Sequence, residues 1–256
     1  MSTRYDCRDA QLRTAGIDAA VAAARAGELI VMPTDTVYGI GADAFIPAAV
    51  TTMLAAKGRG RNMPPPVLVG TARAAAALVE DLGAFGQDLI DEFWPGALTL
   101  VFRASPTLMW DLGDTRGTVA LRMPLHPVAL EVLKQTGPMA VSSANRHGHP
   151  AAVNADEAQE QLGEAVSVYL DGGPCLDNVP STILDLTSTI PKVLRAGALS
   201  VDRLRTVASV IADNEHYAPD ATADFKPAAP HPMESSPGSG TGGLPDTYGG
   251  EPPAGS

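Results

Sequence analysis

Cysteine is scarce in this chain. Two residues, Cys7 and Cys175, lie far apart among 256, and no C-x-x-C spacing exists. Neither a disulfide framework nor a zinc site is therefore suggested. Aromatic residues make up 5% of the sequence, too few for the base-stacking surfaces of RNA readers. Cations are outnumbered, with 18 Lys and Arg against 29 Asp and Glu and a net charge of -11. That balance argues against a general nucleic-acid or membrane-surface binder, although a local basic patch could still hold a phosphate. No apolar run approaches the ~18 residues needed to span a membrane. The first ten residues are polar and charged rather than signal-like, so the expected location is the cytoplasm.

Several catalytic signatures are also missing. A Walker loop needs Gly-Lys, and none of the four lysines follows a glycine. There is no G-x-S-x-G elbow. Gly39-Ile40-Gly41-Ala42-Asp43-Ala44 does match G-x-G-x-x-A, but Pro33 to Tyr38 separates it from the preceding strand. No Asp or Glu occurs from Phe45 to Val79 to hold a ribose, so the dinucleotide reading is weak. His147-Gly148-His149 lacks an evident third metal ligand and reads as a pair of solvent-exposed loop histidines.

What is present suits one large α/β domain with a real core, since 45% of the residues are hydrophobic. The organising stretch is Leu29-Ile30-Val31-Met32 followed by Pro33-Thr34-Asp35-Thr36-Val37-Tyr38-Gly39-Ile40-Gly41. It reads as a buried strand, stopped by a proline that has no N–H, and a polar loop closed by two glycines. Helices are predicted over 14–26, 47–57, 72–81, 84–93, 126–136, 154–162 and 201–212, by capping and Gly or Pro punctuation. Strands are predicted over 67–69, 97–102, 118–122, 139–141, 167–170, 182–186 and 193–194. Strands and helices alternate, with some strands adjacent, so an open, twisted, mixed sheet with flanking helices is expected. Residues 1–213 form that domain. Residues 214–256 carry eight Pro and seven Gly, few aliphatics and Lys226 alone as a cation, a composition expected of a disordered acidic tail.

Three cations, Lys57, Arg59 and Arg61, stand within five residues among glycines. A helix C-terminus explains Lys57. It does not explain the two arginines beyond the helix, whereas phosphate binding explains all three. The loop is expected to be solvated, so substitutions there should cost little stability. Ser142-Ser143-Ala144-Asn145 offers hydroxyls and an amide just past a strand. Ser181-Thr182 and Arg195-Ala196-Gly197 repeat the pattern of polar groups beside short strands.

Taken in order, Pro33-Thr34-Asp35-Thr36-Val37-Tyr38-Gly39, Lys57-x-Arg59, Trp94-Pro95-Gly96-x-Leu98-Thr99, Arg122-x-Pro124, Ser143-Ala144-Asn145, Ser181-Thr182-Ile183-x-Asp185 and Arg195-x-Gly197 resemble the YrdC/YciO family, specifically its L-threonylcarbamoyladenylate synthases. The resemblance covers roughly residues 15–212. It implies a YrdC-like α/β fold around a cationic cavity; the extra C-terminal domain of longer relatives is not expected here, since the tail lacks the residues of a core. It also implies the synthesis of threonylcarbamoyl-AMP and pyrophosphate from L-threonine, bicarbonate and ATP, with Mg²⁺. The product would pass to the tRNA threonylcarbamoyl transferase machinery, with a possible transient tRNA contact and no membrane. By matched motif, Lys57 and Arg59 act on the phosphates and are the catalytic candidates. Arg61, Ser143, Asn145 and Arg195 join them at ATP. Thr34, Arg122 and Ser181 hold threonine, with Arg122 on its carboxylate, and Thr36 and Tyr38 shape the pocket. Asp35 could equally be a structural cap. Relatives often carry Pro after Lys-x-Arg and His or Lys shortly beyond, where this chain has Gly60 and Met63; Arg61 is read as replacing that cation. The competing readings are an RNA-binding module and a YciO-like nucleotide- or RNA-binding protein without the synthase activity.

Overall fold

A computed structural model of the chain describes residues 2–175 and 178–212. The tail, 214–256, lies outside the described residues.

The elements run β1 (Thr3–Asp6), α1 (Ala10–Arg25), β2 (Ile30–Met32), β3 (Gly39–Asp43), α2 (Pro47–Lys57), β4 (Val67–Leu68), α3 (Ala72–Ala76), α4 (Gly83–Phe93), β5 (Leu98–Arg103), β6 (Thr118–Arg122), α5 (Pro127–Thr136), β7 (Met139–Ser143), α6 (Ala155–Leu162), β8 (Val168–Asp171), β9 (Thr182–Asp185), β10 (Lys192–Arg195) and α7 (Val201–Arg205). All ten strands join one sheet in the order β1-β8-β2-β3-β7-β4-β6-β5-β9-β10. Four adjacent pairs are parallel and five antiparallel. The sheet is thus mixed, as the sequence predicts.

Strand alternation assigns the two faces. Val67, Leu98, Leu100, Phe102, Leu121 and Leu184 point into the larger core, with Val50 and Met53 of α2 and Leu89 and Ile90 of α4. On the opposite face, Ile17, Ala20 and Val21 of α1 and Val128, Val132 and Leu133 of α5 cover Ile30, Met32, Leu68 and Met139. Val101, Ala120 and Ile183 form a separate small cluster. Ala120 and Ile183 line the cleft described below.

Several boundaries differ from the sequence reading. α1 starts earlier because the Asp9 carboxylate accepts the Gln11 and Leu12 N–H groups, each at 2.9 Å. Gly39 and Gly41 do not close a loop. They open β3, where a Cβ on Gly39 would come within 2.7 Å of Val141 Cγ1. α3 stops at Ala76, since Val79 leaves it to bridge Ala104. α7 stops at Arg205, because Ala212 is drawn beside β10, its N–H donating to Pro191 O at 2.8 Å. β1 was not predicted. It rests on a parallel partner more than 160 residues away, which local pattern cannot reveal.

Candidate functional site

A cleft opens over the ends of β7, β6, β5 and β9. It is lined by Thr34, Thr36, Arg59, Ser142, Ser143, Asn145, Thr99, Arg122, Ser181 and Arg195, with Pro64, Leu68, Ala120, Val141 and Ile183 as apolar wall. Three guanidiniums and no carboxylate line it among the described residues.

The loop after β2 is folded by its own hydroxyls. Thr34 Oγ1 donates to Val37 O at 2.6 Å, accepts from Thr36 N at 3.2 Å and lies 3.1 Å from Thr36 Oγ1. Tyr38 is fully buried behind it. Its hydroxyl donates to Gly173 O at 2.6 Å and accepts the Gly172 N–H at 3.1 Å. Burial pushes the Tyr38 phenol above its ordinary value, so it serves as a neutral strut.

Arg122 ends β6 and is 6% exposed. Its Nε donates to Gly96 O at 2.9 Å, Nη1 to Thr36 Oγ1 at 2.9 Å and Nη2 to Asp35 Oδ1 at 2.5 Å. A guanidinium has five N–H donors, so these three contacts leave two for a ligand. Asp35 Oδ1 also accepts the Leu125 N–H at 2.9 Å. Asp35 is therefore an ion-pair partner that orients Arg122, and it caps no helix. Burial pulls the Arg122 pKa down, against the opposing pull of Asp35.

α2 ends in a Schellman turn. Gly58 has φ +71, its N–H reaches Ala55 O at 2.9 Å, and the Arg59 N–H reaches Leu54 O at 2.8 Å. Lys57 and Arg59 are 1% and 9% exposed, so the expected solvated loop is wrong at both. Lys57 continues the buried face of α2 set by Val50, Met53 and Leu54, the turn carries Arg59 inward after it, and protein oxygens compensate their charge. The Lys57 ammonium donates to Asn145 O at 2.7 Å, to Asn145 Oδ1 at 3.2 Å and to Ser143 O. It braces the 143–145 loop from behind and is not among the residues lining the cleft. Arg59 Nη1 donates to Ser142 Oγ at 2.7 Å. Arg61 points elsewhere, its guanidinium forked on Asp111 at 2.8 and 3.0 Å.

Asn145 Nδ2 donates to Arg146 O at 2.9 Å and His149 O at 2.7 Å. This turn brings exposed His149 to the rim of the cleft. On the far wall, Arg195 Nη2 donates to Ser181 O at 2.9 Å and to Ser181 Oγ at 3.2 Å. Ser181 Oγ lies 2.8 Å from Thr99 Oγ1.

The structure thus brings Thr34, Arg59, Arg122, Ser143, Asn145, Ser181 and Arg195 to one cleft, places Lys57 behind it, and sets Arg61 outside it. Thr99 and Ser142 stood in the quoted motifs without a role, and the apolar wall was missed. The signal was alternation: Thr99 sits between core-facing Leu98 and Leu100.

Fold and site define an α/β protein with a hydroxyl- and arginine-lined cleft over the strand ends of a mixed sheet. The Sua5/YciO/YrdC profile, described as "Telomere recombination", matches residues 22–197, and the chain belongs to that family. It is 55% identical to a Mycobacterium tuberculosis protein provisionally named as a threonylcarbamoyl-AMP synthase, over 82% of this chain and 97% of that one. A doubly substituted P. abyssi Sua5 superposes with a TM-score of 0.82 at 30% identity, over 89% of this chain and 67% of that one. P. abyssi Sua5 complexed with L-threonine superposes with a TM-score of 0.75 at 32% identity, over 83% of this chain and 64% of that one.

Proposed function

We propose that this chain is an L-threonylcarbamoyladenylate synthase that makes threonylcarbamoyl-AMP and pyrophosphate from L-threonine, bicarbonate and ATP. One observation carries the reading. Residues from separate motifs converge on a cleft lined by three guanidiniums and no carboxylate among the described residues, in a family whose Sua5 member is known with L-threonine.

The chemistry suits such a wall. The threonine amine adds to the bicarbonate carbon, forming a C–N bond and releasing water. An oxygen of the resulting carbamate then forms a bond to the α-phosphorus of ATP, and pyrophosphate departs with the electron pair of the broken P–O bond. Both partners in the second step are anions, so charge neutralisation and alignment dominate the barrier. Arg59 and Arg195 offset phosphate charge. Ser143 and Asn145 orient the nucleotide and carbamate. Thr34, Ser181 and the two remaining Arg122 N–H groups hold threonine. Lys57 acts on this site through the loop it braces. The lining of hydroxyls, amides and guanidiniums does not fit a protein-held divalent cation, and among the described residues no group of His, Cys, Asp or Glu is arranged to hold one. Magnesium accordingly enters as the counterion of substrate ATP. The product supplies an activated threonylcarbamoyl group to the tRNA-modifying transfer machinery.

The test is pyrophosphate release with each substrate varied. Release should require threonine and bicarbonate together. In Arg122→Lys the threonine KM should rise several-fold while the ATP KM moves little, because an ammonium cannot reproduce a guanidinium fork. Release that ignores bicarbonate would overturn the assignment, since the carbamate could not then be the nucleophile. An ATP-specific defect in Arg122→Lys would move that residue to the nucleotide.

A further inference from the structure

Arg61 stands two residues beyond Arg59, yet its guanidinium turns away from the cleft. It forks on Asp111, Nη2 to Oδ1 at 2.8 Å and Nη1 to Oδ2 at 3.0 Å. Its Nε lies 3.8 Å from Asp114 Oδ1. The backbone joins in, with the Asp114 N–H donating to Arg61 O at 2.8 Å. Gly113 fits the contact closely. It has φ +100, and a Cβ there would fall 2.6 Å from Arg61 O, so only glycine lets the two backbones approach this nearly. Asp111 Oδ1 also accepts the Gly113 N–H at 3.0 Å. The 110–114 segment is moored in turn. Trp110 stacks on Phe45, with ring centroids 5.6 Å apart, just ahead of α2.

These contacts have a consequence for Arg59. The Schellman turn fixes the Arg59 backbone on its N-terminal side. On its C-terminal side stands Gly60, the least restrained residue type. The next tether is Arg61 on Asp111, and the chain then returns to the cleft wall at Pro64 and Pro66. We infer that Arg61 is a positioning residue: with Asp111 and Gly113 it forms a strut that holds the 58–64 loop, and hence the Arg59 guanidinium, in register with the cleft. The inference rests on the synthase reading for its kinetic consequence. A single exposed ion pair usually has small effects, but this one is bidentate and backed by a backbone hydrogen bond.

The experiment compares Arg61→Ala, Asp111→Ala and the double variant in pyrophosphate release with ATP and threonine varied separately. Each single variant should raise the ATP KM roughly three- to tenfold, and the double should be no worse than either single, as one shared contact requires. The threonine KM and the thermal midpoint should stay near the parent values, a split that general destabilisation would not give. Impairment in Arg61→Ala with a normal or lowered ATP KM in Asp111→Ala would overturn the inference by making Arg61 a direct nucleotide ligand. Parent-like kinetics in all three would overturn it too. Amide exchange decides the strut without the enzyme assay. Asp111→Ala should speed exchange across 58–63 and leave β7 protected, whereas unchanged exchange there would refute the strut. If the parent protein makes no threonine- and bicarbonate-dependent pyrophosphate, the proposed function falls and the exchange result still decides the strut.

Discussion

A lysine 1% exposed costs stability unless its charge is answered by nearby dipoles. Lys57 is answered by the carbonyls of Ser143 and Asn145 and by the Asn145 side chain. The same contacts fix the loop that presents Ser143 and Asn145 to the cleft. A substitution there is thus unlike a surface change. Lys57→Met keeps the methylene stem but leaves buried carbonyls without a donor, which should cost about 1–3 kcal/mol. Denaturant unfolding reads this as a lower midpoint at unchanged slope, and turnover should fall as well. A parent-like midpoint would mean that the carbonyls find other donors and that the bracing role is wrong.

At the scale of elements, β9 and β10 form an antiparallel pair that ends at the cleft. Register shifts between Val193 and Arg195, and the Arg195 side chain donates to Ser181. Gly197 makes the geometry possible. A Cβ there would meet Pro180 O at 2.2 Å and Ser181 C at 2.5 Å, both rigid backbone atoms. Thr182 Oγ1 ties the return, accepting from Gly197 N at 3.0 Å and donating to Leu199 O at 2.6 Å. Gly197→Ala must therefore push the turn after β10 away from the Pro180–Ser181 backbone that leads into β9. We expect a stability loss of roughly 1–3 kcal/mol from overpacking, and a fall in kcat/KM for threonine larger than that loss alone explains. Threonine titration beside thermal unfolding tests both. A variant with parent-like threonine kinetics would show that Ser181 and Arg195 tolerate displacement, which would count against their role at the substrate.

For the molecule as a whole, the β1 edge of the sheet is held partly by charge. Asp171 at the end of β8 is buried, and it accepts from Arg4 of β1 at 2.6 Å and from the Gly173 N–H at 2.9 Å. Burial alone would raise the Asp171 pKa, but these donors outweigh it and hold the carboxyl below its ordinary value. The folded state therefore binds fewer protons than the unfolded state just below pH 4. The stabilisation is fully present above the unfolded pKa of about 3.9 and is lost as pH falls through the depressed folded pKa. Acid unfolding of the parent should steepen in that window, and Asp171→Asn should flatten that limb while lowering stability at pH 7. An acid limb identical in Asp171→Asn and parent would show that other carboxylates govern it.

The sequence by itself determined the class of fold, because alternating apolar strands and capped helices follow local periodicity. It also showed which short polar segments flank those strands, and the resemblance of their motifs to a family singled out Thr34, Arg59, Arg122, Ser143, Asn145, Ser181 and Arg195, which the fold brings to one cleft. Tertiary structure alone decided which way each side chain faces. Lys57, Arg59 and Arg61 look alike as a cationic run. Lys57 falls on the buried face of α2, the Schellman turn at Gly58 carries Arg59 inward, and Asp111, fifty residues away, holds Arg61 outside. Asp35 reads as a structural cap until β6 brings Arg122 onto it. β1 escaped notice, and the β3 glycines read as closing a loop, for the same reason. Their justification is a partner strand distant in sequence, supplying hydrogen bonds to one and side-chain cover to the others, and periodicity carries information only about neighbours along the chain.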